Sequence, residues 1–187
     1  MSLRTVSRAM TLFLSVGLVL TICAASSLAQ PKVVTQTQVI THPKIKAAGT
    51  MTMTEARRDT MTVGNAEGHG VSLLRSTGTN AATSEMKLMD GAQVVHVGFS
   101  DLVNGNGPHN GYTILTMNGN SVFVEWKGTV TTVPGEKEPL TSFAGTYVWI
   151  GGAGEYAKIS GSGTYKGHFT SKTAYTAEWT GEYSLGK

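Results

Sequence analysis

The residues able to do chemistry lie in or beside the glycine-rich segments. They are His69, Asp90, Asp101, His109 and Tyr112. Gathered at one end of a fold they would frame a polar site, with His109 as acid/base and Asp101 as its orienter. The same residue types also serve turns, where Asp and Asn bond nearby backbone, and His109 follows Pro108. No pair has the spacing of His-x-His or His-Glu-x-x-His, so no metal site is expected. Glu125 stands beside Trp126 in mid-strand. Inside a barrel its carboxyl would have a raised pKa and could act as a general acid or base. If Val122, Val124 and Trp126 form the inner face instead, Glu125 faces water. Neither a Gly-x-Ser-x-Gly elbow nor a P-loop occurs, and Gly105-Asn106-Gly107 has no helix after it, so no cofactor is expected.

These residues need a scaffold, and the last third of the chain shows its kind. Ile159, Gly161, Gly163, Tyr165, Gly167 and Phe169 fall on one phase of a period-two pattern. Tyr175, Ala177, Trp179, Gly181 and Tyr183 do the same further on. Such alternation predicts half-buried strands. Phe143 to Ile150 is a third strand of this region. Earlier strands are read near Met51–Met53, Gly68–Thr77, Gln93–Phe99, Tyr112–Met117 and Ser121–Lys127. Asn118-Gly119 is the pair favoured in a tight type I′ hairpin. Residues 80–90 read either as a helical turn or two, or as irregular chain. About eight strands with no convincing long helix predict one all-β antiparallel barrel, calycin-like, or a sandwich.

The three tryptophans, Trp126, Trp149 and Trp179, lie on separate strands. With Tyr147, Tyr165 and Tyr175 they would wall a ligand cavity if all point inward. Alternatively they fill the core of a narrow barrel. Interior glycines such as Gly145, Gly161, Gly163 and Gly181 permit coiling and leave room beside those rings. Met51, Met53, Met61, Met86, Met89 and Met117 suit core gap-filling better than copper handling, because no repeated Met-x-Met run joins a histidine.

Residues 1–29 read as a secretory signal peptide: Arg4 and Arg8, an apolar stretch from Met10 to Ala25, then Ser27-Leu28-Ala29 before Gln30. The apolar run is shorter than the ~20 residues a membrane span needs. Residues 30–48 read as a polar, flexible leader, in which Val33-Val34 and Val39-Ile40 would at most form a short edge strand. The barrel is expected over residues 49–187, in the periplasm or outside the cell. Cleavage removes two of fifteen basic residues, leaving thirteen against twelve acids, about +1. That balance excludes a nucleic-acid footprint. The single cysteine, Cys23, leaves with the signal, so a hydrophobic core alone must hold the domain.

Several segments carry a resemblance. They include Gly68-His69, Gly78-Thr79-Asn80, Met89-Asp90-Gly91-Ala92, Gly105-Asn106-Gly107-Pro108-His109-Asn110-Gly111-Tyr112 and Trp126-Lys127-Gly128. Gly151-Gly152-Ala153-Gly154-Glu155-Tyr156-Ala157 and Gly161-Ser162-Gly163-Thr164-Tyr165 complete the set. Over roughly Gly49 to Tyr183 the chain resembles small exported bacterial proteins similar to allene oxide cyclase-like, calycin-type barrels. The resemblance implies an eight-stranded barrel able to enclose an apolar molecule. No catalytic motif of the plant cyclases matches residue by residue, so their activity is not carried over. Three functions stay open: a barrel holding a small apolar or amphipathic molecule, an isomerase or cyclase, and a protein-binding, inhibitor-like module. An oligomer is compatible with each.

Overall fold

The period-two pattern is realised as eight strands in a computed structural model that describes residues 42–136 and 138–186. In chain order they are β1 (Ile45–Thr62), β2 (His69–Ala82), β3 (Gln93–Val103), β4 (Gly107–Met117), β5 (Asn120–Val133), β6 (Leu140–Ala153), β7 (Ile159–Phe169) and β8 (Ala174–Leu185). Each pairs antiparallel with the next, and β8 returns to β1, so the sheet closes into the calycin-like barrel expected. Closure leaves no unpaired edge. Among the described residues the only helical piece is the short 3₁₀ turn Gly154–Tyr156, and no helix is long and apolar enough to cross a membrane. β1 starts at Ile45, ahead of the expected barrel boundary at Gly49, and Ala47 is already buried. The signal peptide and the edge strand at 33–40 lie outside the described residues. The Asn118-Gly119 turn forms, with φ of 50° and 79°, as a type I′ hairpin requires.

Inside the barrel, large rings lie along the wall rather than across the lumen. Several of them do so by resting on glycines of other strands. A Cβ on Gly163 would stand 2.4 Å from the Tyr147 hydroxyl, and one on Gly145 would stand 2.6 Å from that of Tyr165. Glycine at these positions is therefore a matter of close approach. The Trp126 ring covers Gly98 and Gly111 in the same way, and Trp179 covers Gly49.

The interior divides into two halves. Near the ends of β2, β4, β6 and β8 it is filled by Ala47, Leu88, Met89, Ala92, Val94, Leu115, Val122 and Ile159, all nearly solvent-free. Leu88 and Met89 come from the β2–β3 connection, which folds inward as a plug of turns instead of the helical turn that residues 80–90 allowed. Asn80 anchors that plug. Its side-chain amide donates to the Met89 carbonyl at 2.8 Å and the Leu88 carbonyl at 3.2 Å, and its carbonyl accepts from Trp179 Nε1 at 2.9 Å. Asp90 adds a cap, accepting from the Ala82 N–H at 2.8 Å.

On the outer wall, the pairs Leu73–Phe99 and Val97–Tyr112 join Ile114 in an exposed apolar stripe.

Asn80→Ala should be costly, because it strands a buried indole N–H and the Leu88 carbonyl, while the Met89 carbonyl keeps only its bond from the Ala92 N–H. We expect a loss of about 3 kcal/mol in unfolding free energy, read by urea denaturation. A loss below about 1 kcal/mol would mean that the plug does not depend on Asn80.

Candidate functional site

The other half of the barrel is hollow. Its cavity has a volume of about 720 Å³. The deep end is formed by Tyr147, Trp149 and Trp179, directly above the plug, and the mouth by Leu102, Thr132, Leu140 and Lys172. Between them the wall is aromatic. Trp149 meets Trp179 edge-on, with centroids 5.9 Å apart, and Phe143 meets Tyr175 the same way at 5.6 Å. Edge-to-face contact holds such rings in place without filling the lumen.

Two histidines enter this wall from adjacent strands. His96 on β3 and His109 on β4 flank the Trp126 indole, with ring centroids at 4.5 Å and 5.0 Å. Burial pushes the His96 pKa down to about 3, with a smaller push from His109, and pushes His109 down to about 4. Both rings are neutral near pH 7. His109 Nε2 lies 2.9 Å from the Tyr165 hydroxyl. Burial also raises the Tyr165 pKa, so the phenol keeps its proton and forms a neutral hydrogen bond with the imidazole. His96 Nδ1 lies 3.3 Å from Thr113 Oγ1. The hydroxyl of Tyr175 is likewise held protonated, its pKa pushed up to about 12 chiefly by burial.

Charge enters the barrel only towards the mouth, through a bulge. Between Glu55 and Arg57 the β1–β2 register shifts, so Glu55 opposes Ser76 and Arg58 opposes Leu74. Glu55 continues the inner phase of Met51 and Met53, and the extra residue, Ala56, brings Arg58 to the same side. Arg58 donates to Glu55 through Nε at 3.0 Å and also through Nη2. The pair is bidentate and self-neutralising. A second bulge, at Ile150, sets Trp149 opposite Val124 and Gly151 opposite Phe123.

Among the residues the sequence singled out, Tyr147, Trp149, Tyr165, Tyr175, Trp179 and Trp126 all line the cavity. His109 lines it too. The polar rim does not assemble. Asp101 is committed to a different imidazole, His69, whose Nε2 is 2.7 Å from its carboxylate on the outer side of β2 and β3. Asp101 therefore does not orient His109, whose partner is Tyr165. Asp90 caps the plug at the closed end, the far end of the barrel from His69. Tyr112 is exposed on the outer wall, paired across the strands with Glu125, which is exposed as well. Glu125 thus takes the water-facing alternative, because Val122, Val124 and Trp126 hold the inner face. Among the described residues, no three His, Cys, Asp or Glu side chains gather as a metal ion would need.

Sequence reasoning missed His96, Thr113, Glu55 and Arg58. The available signal for His96 was its phase, shared with Val94 and Gly98. The fold and cavity define a class: a closed eight-stranded barrel, plugged at one end and hollow and aromatic at the other. Comparison with family models, curated proteins and solved structures found no match, so the site is read from its own geometry.

The depressed histidines fix a pH dependence. Unfolded chains bind protons at these imidazoles near the ordinary value of 6.5, whereas the folded protein resists until about 3 or 4. Stability is therefore full above pH 6.5 and falls as pH drops towards 4, by up to about 1.4 kcal/mol per pH unit for one histidine. His96→Phe should flatten this slope, measured by urea unfolding at pH 7, 6, 5 and 4. An unchanged slope would mean that His96 is already protonated in the folded state.

Proposed function

We propose that this exported barrel holds a small apolar or amphipathic molecule within its lumen. The observation that carries the reading is the 720 Å³ hollow walled by tryptophan and tyrosine. Pockets for small ligands span about 300–1,000 Å³ and are mostly apolar with a few polar groups. A barrel built only for stability would let these side chains fill its lumen, as eight strands allow. A loop-based binding module would have no use for the space. The likeness to allene oxide cyclase-like barrels supports the same reading, since those barrels enclose an apolar molecule.

An isomerase or cyclase is the second reading, favoured by one observation: the hydrogen-bonded His109–Tyr165 pair lies inside the cavity. There the pair could take and return a proton. The two readings part on whether the occupant leaves chemically unchanged.

Native mass spectrometry of protein purified from its own envelope tests the holding function, with an extracted sample as control. An adduct lost on extraction is expected. Ala177→Phe, which places a ring in the lumen, should abolish that adduct while leaving the circular dichroism unchanged. A clean apo mass, with tryptophan fluorescence indifferent to fatty acids and related amphiphiles, would defeat the proposal.

A further inference from the structure

His96 carries a nitrogen in the hollow that is both reachable and unused. His96 points inward from β3 between Val94 and Gly98, and its ring lines the cavity. Its outer neighbours Val95 and Val97 take the solvent side. The residue is only half-buried, and the uncovered part of the ring faces the lumen. Nδ1 is engaged by Thr113 Oγ1 at 3.3 Å, while Nε2 has no hydrogen-bond partner among the described residues.

The other polar atoms of the wall differ. Trp126 Nε1, Trp149 Nε1 and the Tyr147 and Tyr175 hydroxyls also lack partners, but neighbouring atoms cover them completely. A ligand cannot touch them without moving the wall. Trp179 Nε1 is taken by Asn80 and His109 Nε2 by Tyr165. His109 Nδ1 has no hydrogen-bond partner among the described residues, but His109, opposite Ser100, stands nearer the mouth than His96, opposite Thr113. His96 Nε2 is thus a polar point that an occupant meets deep in an apolar space. An occupant that leaves such a group unpaired binds more weakly than one that bonds to it.

The surroundings also restrict the charge of the occupant. Trp126 packs against the His96 ring at 4.5 Å and Tyr175 stands edge-on at 6.1 Å. Of the charged groups towards the mouth, Glu55 and Arg58 are spent on each other, and Glu138 and Lys172 lie at the rim, away from His96. An ionised group beside His96 would be desolvated without a counter-charge. Thr113 Oγ1 can donate or accept, so it leaves either tautomer of His96 open. A hydroxyl, which is both donor and acceptor, suits both.

We propose that the cavity selects an uncharged, ring-bearing alcohol or phenol, its hydroxyl bonded to His96 Nε2 and its flat apolar body against Trp126 and Tyr175. This rests on the holding function above and names its ligand class.

Three probes of matched shape test it by calorimetry on the mature chain at pH 7: naphthalene, 2-naphthol and 2-naphthoate. The expected order places 2-naphthol about tenfold tighter than naphthalene, the equivalent of one hydrogen bond, with 2-naphthoate the weakest. His96→Phe, which keeps the ring volume, should bring 2-naphthol to parity with naphthalene. His96→Gln, which keeps a polar group near Nε2, should retain a preference. Naphthalene binding as tightly as 2-naphthol, or 2-naphthoate binding best, would overturn the ligand class while leaving the holding function intact. A preference that survives in His96→Phe would overturn the role of His96. No binding of any probe would overturn the ligand class, and an envelope-derived adduct in the same protein would show that the holding function stands without it.

Discussion

The structure depends on aromatic rings lying flat on glycine backbone. Eight strands enclose an interior that ordinary side chains fill, so a hollow has to be constructed. Here the large residues are seated beside strands with no Cβ: Tyr147 against Gly163 and Gly181, Tyr165 against Gly128 and Gly145, Trp126 against Gly98 and Gly111. A methyl at any of these glycines would push a ring off the wall and into the lumen. Glycine in a strand costs backbone entropy, about 0.5–1 kcal/mol relative to alanine. Burying one large ring returns more than that. The cavity is thus compatible with stability because the same contacts that empty the lumen also bury the rings.

That arrangement also needs a floor. Trp179 stands at the floor of the hollow, beside the plug. Asn80 fixes it by a hydrogen bond from the indole and spends its two N–H groups on the plug carbonyls. One side chain therefore joins the filled half to the hollow half. Met89, with φ of 51°, adopts the left-handed conformation needed to turn the plug back into the sheet.

Much of this was legible in the alternation. Tyr165, Tyr175, Trp179 and the glycines between them share a phase, and the structure puts that phase inside. His96 was not legible in the same way. Its strand carries apolar residues on both faces, Val94 on one and Val95, Val97 and Phe99 on the other, so hydrophobicity did not say which face was inner. The glycine pair decides it: Gly98 and Gly111 are directly opposed, and both lie under the Trp126 ring. The bulges were hidden for a different reason. A single extra residue at Ala56 or Ile150 inverts the phase of everything after it; no local residue type announced the first, whereas the glycines from Gly151, itself at φ of 130°, suit a bulge beside the second. Of the five polar residues in glycine-rich segments, Asp90 went to the closed end, while His69, Asp101 and Tyr112 fell on the outer phase of their strands and only His109 on the inner one. Proximity in type was mistaken for proximity in space.

The Ala56 bulge has a consequence for charge. Without it, the inner phase of β1 past Glu55 would fall on Arg57 and Asp59, and Arg58 would face water. With it, Arg58 joins Glu55 on the inner side towards the mouth, where Arg58 keeps partial solvent contact, with 36% of its side chain exposed, while Glu55 is nearly covered at 7%. A carboxylate so covered is tolerable only because the guanidinium grips both of its oxygens. The polarity of the lumen is therefore graded: a closed ion pair towards the mouth, neutral imidazoles midway, and an indole–amide bond at the floor. Charge decreases with depth as solvent access does, which is the order that keeps every ionised group near water or beside its counter-ion. A molecule entering this barrel would pass from a region that tolerates charge to one that accepts only neutral hydrogen bonds.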